Sequence, residues 1–178
     1  MRNLVRGALK DMAGCVVAVA ALLALGVPSR LLAQDDEVGI AVGATPAATT
    51  IEDLSGAPVD LARWVGKKPV LLEFWATWCP ICAELLPKMK AVHARYRDRV
   101  DFVVVAVAVN ESRASVKRHL ESHDLPFTFL WDTNGNATRA FQAPATSFVV
   151  VLDAKGKVAY TGVGADQDLE AALRRVTK

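Results

Sequence analysis

The chain has 178 residues, 21 of them Lys or Arg and 19 Asp or Glu, with 52% hydrophobic residues and a formal net charge of +2. That length suits one hydrophobic core and leaves little room for a second. Four basic residues (Arg2, Arg6, Lys10, Arg30) but one acidic residue (Asp11) fall in the first 33 positions, so residues 34–178 carry a net charge of −1 and offer no basic footprint for nucleic acid.

Residues 1–33 have the layout of an export segment. Arg2, Arg6 and Lys10 form a basic start, residues 12–27 are almost unbroken apolar sequence, and residues 29–33 offer a small-residue cleavage site ending at Ala33. The apolar stretch is short beside the roughly 20 residues that span a bilayer. Two outcomes stay open: a cleaved signal peptide, or an N-terminal membrane anchor through residues 12–27. Either places the rest of the chain in the periplasm or elsewhere outside the cytoplasm. Residues 34–44, rich in Gly, Ala and acidic residues, form a tether, and residues 45–178 form the domain.

Residues 51–54 fit a short edge strand, and residues 59–65 a helical turn or a strand followed by a turn. The run VLLEFW at 70–75 follows a loop (Gly66 to Pro69) and fits a buried parallel strand. From Pro80 to about Arg97 the pattern becomes helical, with Ile81, Leu85, Met89 and Val92 at three- and four-residue spacings and Pro87 as an expected kink. Residues 100–109 fit a second buried strand, 112–123 an amphipathic helix, 127–131 a third strand and 136–141 a short helix. A hairpin is expected from 146–153 and 158–161 around Gly156, then a closing helix over 166–176. This order predicts an α/β domain with a mixed central sheet flanked by helices.

Cys15 lies in the export segment, which leaves Cys79 and Cys82 as the cysteines of the domain. So small a loop gains little as a covalent staple. In an oxidising compartment such a pair points to working chemistry. Pro80 is at the first helical position, where its missing N–H costs nothing. Cys79 is then at the helix N-terminus, where free amides and the dipole favour thiolate over thiol. Cys82 falls on the same face one turn deeper. Cys79 is therefore the predicted nucleophile and Cys82 the residue that resolves the mixed disulfide. A zinc site would need further ligands, and His93, His119 and His123 have no supporting spacing, so no metal is expected. The redox-active disulfide itself is the expected working group, without a cofactor.

Glu73 interrupts the strand six residues before Cys79, beneath the predicted helix. Burial raises a carboxyl pKa, which makes Glu73 a candidate proton acceptor for Cys82. Alternatively, strand alternation turns it to the surface. Trp75 is expected in the core, and Trp78 as an apolar platform beside the sulfur.

The segment EFWATWCPIC at 73–82, followed by Pro87, resembles thioredoxins, and in particular the exported TlpA-like and ResA-like thiol–disulfide oxidoreductases. The likeness continues through Thr45-Pro46, Leu54-Ser55-Gly56, Gly66 to Pro69, residues 102–109, Leu125-Pro126-Phe127 and Asp153 to Gly156. It implies a thioredoxin fold with an inserted helix–strand element at about 110–131. It also implies reduction of oxidised protein substrates, with electrons from a membrane-embedded thiol reductase; a disulfide-forming oxidase is the alternative within the fold. Three departures stand out. Glu73 replaces the Asn common in exported members, whereas cytoplasmic thioredoxins carry Asp there. Leu85 occupies the place of a frequent Glu, with Glu84 beside it. Ser147, preceded by Thr146, falls where the family places a cis-proline opposite the cysteines. Either Pro144 fills that role through a shifted loop or Ser147 occupies it in a trans bond. The resemblance makes Trp78, Pro80, Thr146 and Ser147 candidate substrate-binding residues.

Overall fold

A computed structural model describes residues 38–178. The export segment, the apolar stretch at 12–27 and the first part of the tether lie outside the described residues. Among the described residues, no helix is long and apolar enough to cross a membrane.

Seven strands form one mixed sheet: β1 (Thr50–Asp53), β2 (Pro58–Asp60), β3 (Val70–Trp75), β4 (Asp101–Val107), β5 (Thr128–Asp132), β6 (Phe148–Leu152) and β7 (Val158–Val163). Their order is β2-β1-β5-β4-β3-β6-β7. β3, β4 and β5 run parallel, while β6, β7, β1 and β2 are added antiparallel. Four helices complete the domain: α1 (Pro80–Tyr96), α2 (Arg113–Ser122), α3 (Asn136–Ala140) and α4 (Leu169–Val176). This is a thioredoxin-type α/β fold, with α2 and β5 as the inserted element.

β3 is buried at every position, as a strand with covered faces should be. Leu71 packs with Leu85, Met89, Val92 and Tyr96 of α1 and with Leu169, Ala172 and Leu173 of α4. Val70, Leu72 and Phe74 belong to a second cluster with Val116, Phe141 and Phe148. Alternation along the strand therefore sends two sets of side chains into two packing layers. Tyr96 donates to Glu170 Oε1 at 2.8 Å, tying the end of α1 to α4.

Three expectations need correction. β1 is internal: the three-residue β2, starting at Pro58, pairs with it and takes the edge. The chain from residue 59 is thus strand and then a 3-10 turn (Leu61–Arg63), whose Ala62 N–H is capped by the Asp60 side chain. The closing helix starts later than residue 166, because the side chain that caps it, on Ala171 N–H at 2.9 Å, is Asp168. Part of the stretch read as tether lies against the domain: Ile40 is buried, its N–H donates to the Phe141 carbonyl, and Gly43 and Ala44 exchange main-chain hydrogen bonds with Val158.

β5 ends on Asp132, which is buried and accepts from Ala137 N–H at 3.1 Å and from the Thr138 N–H and hydroxyl at 2.9 and 2.8 Å. No other cap is available, since the residue before α3 is Gly135 at φ 68°. Asp132→Ala strips two helix-start amides and a hydroxyl of their acceptor at a buried position. It is expected to lower unfolding free energy by about 2–4 kcal/mol in urea titrations.

Candidate active site

Cys79 lies at the junction between β3 and α1. Its backbone is extended (φ −89°, ψ 103°), and it is the cap residue of a helix whose first residue is Pro80. Its sulfur accepts the Cys82 N–H at 3.1 Å. The group that Ser or Asp supplies at an ordinary helix start is here a sulfur, so an amide donor and the helix dipole converge on it. Cys79 and Cys82 are joined as a disulfide, with Cα atoms 5.3 Å apart. Cys79 is 6% exposed and Cys82 1%, so the first cysteine is the nearer to solvent.

The loop in front of Cys79 is gripped from the loop after β4. Trp78 Nε1 donates to the Val109 carbonyl at 2.9 Å. Glu111 accepts from the Thr77 N–H at 2.9 Å and from the Thr77 hydroxyl. Burial opposes the charge on Glu111, but hydrogen bonds from Thr77 and Ser112 outweigh it and hold its carboxyl below the usual value. Sequence reasoning missed Val109 and Glu111; the polar break after the apolar run of β4 was the available signal. Trp78 (46% exposed), Ile81 (45%) and Val109 (60%) leave apolar surface around the disulfide, of the kind that marks a contact site. Pro80 is exposed at the start of α1. Trp75 is buried, its ring edge-on to Phe129 and His119. Glu84 is exposed and Leu85 buried on α1.

Glu73 is buried, 3% exposed, between Val104 of β4 and Val149 of β6. Alternation places it on the same side of β3 as Leu71, the side α1 covers with Leu85 and Met89. Its Oε1 has no hydrogen-bond partner. Desolvation alone pushes its pKa up to about 8.

At the same end of the sheet, the Ser147 N–H donates to the Phe74 carbonyl at 2.8 Å. Among the described residues no peptide bond is cis, the bonds before Pro144 and Ser147 included. A proline at position 147 would lack the N–H that bonds to Phe74. No group of three or more metal-ligating side chains occurs among the described residues.

Residues 41–175 match the Redoxin family. The thioredoxin-like protein YneN of Bacillus subtilis is 35% identical over 130 residues, covering 72% of this chain and 75% of its own. The thiol-disulfide oxidoreductase ResA of Bacillus thuringiensis is 28% identical over 129 residues, covering 71% and 73%. Among solved structures, a secreted Mycobacterium tuberculosis disulfide oxidoreductase homologous to E. coli DsbE aligns with a TM-score of 0.59 at 29% identity, over 71% of this chain and 92% of that one. Matched across nearly its whole described length and by relatives at these identities, the chain belongs to the Redoxin family and is a thioredoxin-like thiol–disulfide oxidoreductase of the TlpA/ResA-like group.

Proposed function

We propose that this protein reduces oxidised protein thiols outside the cytoplasm through the Cys79–Cys82 pair. The observation that carries the proposal is the Cys82 N–H directed at the Cys79 sulfur at a helix start, which favours the thiolate at Cys79 once the pair is reduced. The Cys79 thiolate attacks one sulfur of a substrate disulfide; that S–S bond breaks, and the departing sulfur leaves as a thiolate and takes a proton. Cys82 then loses its proton and attacks the Cys79 sulfur. The second substrate thiol is released and the Cys79–Cys82 disulfide forms, so two electrons have passed to the substrate.

Glu73 is the proton acceptor for Cys82 in this scheme. Burial holds its carboxyl at about 8, so the ionised form that can take the Cys82 proton grows as pH rises towards that value. Trp78 and Pro80 flank the sulfur, and Thr146 presents main chain to the substrate, while Ser147 behind it is buried with its own N–H and carbonyl already paired. A membrane-embedded thiol reductase would return the protein to its dithiol form. The basic and apolar layout of residues 1–33 supports export, and the M. tuberculosis relative is described as secreted. The reducing direction rests on what the resemblance of residues 73–82 to the TlpA-like and ResA-like proteins implies.

Cys82→Ala is expected to accumulate mixed disulfides through Cys79, visible on non-reducing gels and cleared by dithiothreitol. Cys79→Ala should accumulate none; trapping by that variant alone would reverse the two roles. Equilibration with a glutathione buffer should give a potential near the −270 mV typical of thioredoxin, and a value near about −120 mV would make the protein an oxidase.

Glu73 also ties stability to pH. Its folded-state value of about 8 stands above the ordinary 4.5, so the folded chain keeps a proton that the unfolded chain releases. Stability of the oxidised protein is therefore highest below about 4.5, falls as pH rises towards 8, and levels off above it, a loss on the order of 5 kcal/mol. Glu73→Gln is expected to flatten that profile in urea unfolding at pH 5 and pH 8. The same substitution should slow release of the second substrate thiol in stopped-flow measurements, since Cys82 loses its proton acceptor.

A further inference from the structure

Ser147 has a left-handed backbone, φ 60°, which is unfavourable for a residue with a side chain, and it is 1% exposed. Every polar group it carries is engaged. Its N–H is on the Phe74 carbonyl, its hydroxyl accepts from Gly164 N–H at 3.2 Å, and its carbonyl accepts from Gln167 Nε2 at 3.0 Å. Gln167 is itself buried, 7% exposed, and its amide is fully used. Nε2 also donates to the Gly164 carbonyl at 2.7 Å, and Oε1 accepts from the Tyr160 hydroxyl at 3.2 Å. Glutamine is mostly a surface residue, so a buried one with all its groups satisfied marks a constructed site.

Gly162 makes room for that amide. A Cβ at this position would run into the Tyr160 hydroxyl and come within 2.7 Å of Gln167 Oε1. Gly162 pairs with Val149 in the β6–β7 ladder, beside the strand that begins immediately after Ser147. On the other side of Ser147 is Thr146, half-buried, whose main-chain N–H and carbonyl have no partner among the described residues. A strand of another polypeptide can pair with such groups.

We propose that Gln167 is a positioning residue for polypeptide substrates: its amide fixes the Ser147 carbonyl over Gly162, and so holds the unpaired Thr146 main chain at the cysteine end of the sheet. A proline fixes its own backbone through a ring; here a side chain twenty residues further on fixes it from outside. The substrates this favours are extended chains that continue past their cystine, because a polypeptide carries the main-chain N–H and carbonyl groups that pair with those of Thr146 and a small disulfide does not. The role rests on the exchange chemistry proposed above.

The test is steady-state reduction of two probes, a cystine-containing peptide of about ten residues and hydroxyethyl disulfide, with dithiothreitol as the electron source. Gln167→Met is nearly isosteric and uncharged, so it removes the amide without adding a charge near the sulfurs. It is expected to raise KM for the peptide about tenfold, as losing one or two buried hydrogen bonds implies, while kcat moves less than about twofold. Turnover of hydroxyethyl disulfide should change less than about twofold. Gly162→Ala keeps every polar group but displaces the amide, and should give the same split; it carries the test if Gln167→Met fails to fold. Equal losses on both probes, or no change on either, would overturn the positioning role. Wild-type protein inert towards both probes would instead overturn the exchange function itself.

Discussion

One hydrogen bond organises the site: the Cys82 N–H on the Cys79 sulfur. It exists because β3 ends, the chain turns, and α1 begins with a proline at its first position and a cysteine as its cap. An apolar strand buried at every position gives that junction a rigid base. A helix set over it by Leu85, Met89 and Val92 gives it direction. Were the cap a serine, the same geometry would only stabilise a helix. With sulfur as the acceptor, the stabilisation goes to a thiolate, and a structural device becomes a chemical one.

The site carries costs that the surrounding fold must bear. Glu73 places a carboxyl with an unpartnered oxygen in the middle of the sheet, where a hydrophobic residue would serve packing better. The Thr77–Trp78 segment is bracketed by Glu111 and by the Val109 carbonyl, both from the loop that leads into the inserted helix. Ser147 keeps an unfavourable backbone angle only because three hydrogen bonds from different parts of the chain hold it. These are local departures from what propensity and packing prefer, and they cluster where the chemistry is.

What the sequence made legible follows from how far apart the interacting residues are. The run at 70–75 and the three- and four-residue spacings after Pro80 declared β3 and α1, and the WCPxC segment placed a sulfur at the helix start. These signals are local, and periodicity captures them. The internal place of β1 was not legible, because it depends on whether residues 58–60 pair with it or turn away. Nor was the burial of Glu73 decided, since alternation allowed both faces until α1 and α4 were seen to cover one. Glu111 reaching Thr77 and Gln167 reaching Ser147 join residues with no common pattern in the sequence. A serine at φ 60° carries no sign of that angle in its identity. The departure from the family at Ser147 was visible; its physical replacement was not.

The strand order also dictates a timetable for assembly. β1 and β2 are neighbours in the chain and can form their hairpin at once, yet the strand that joins them to the sheet is β5, with Glu52 opposite Trp131. β3 likewise waits for β6 before its second edge is covered. Contacts so distant along the chain close slowly, which lengthens the interval in which apolar edges stand open. With Cys79 and Cys82 the only cysteines among residues 38–178, that delay carries no risk of a wrong cross-link within the domain.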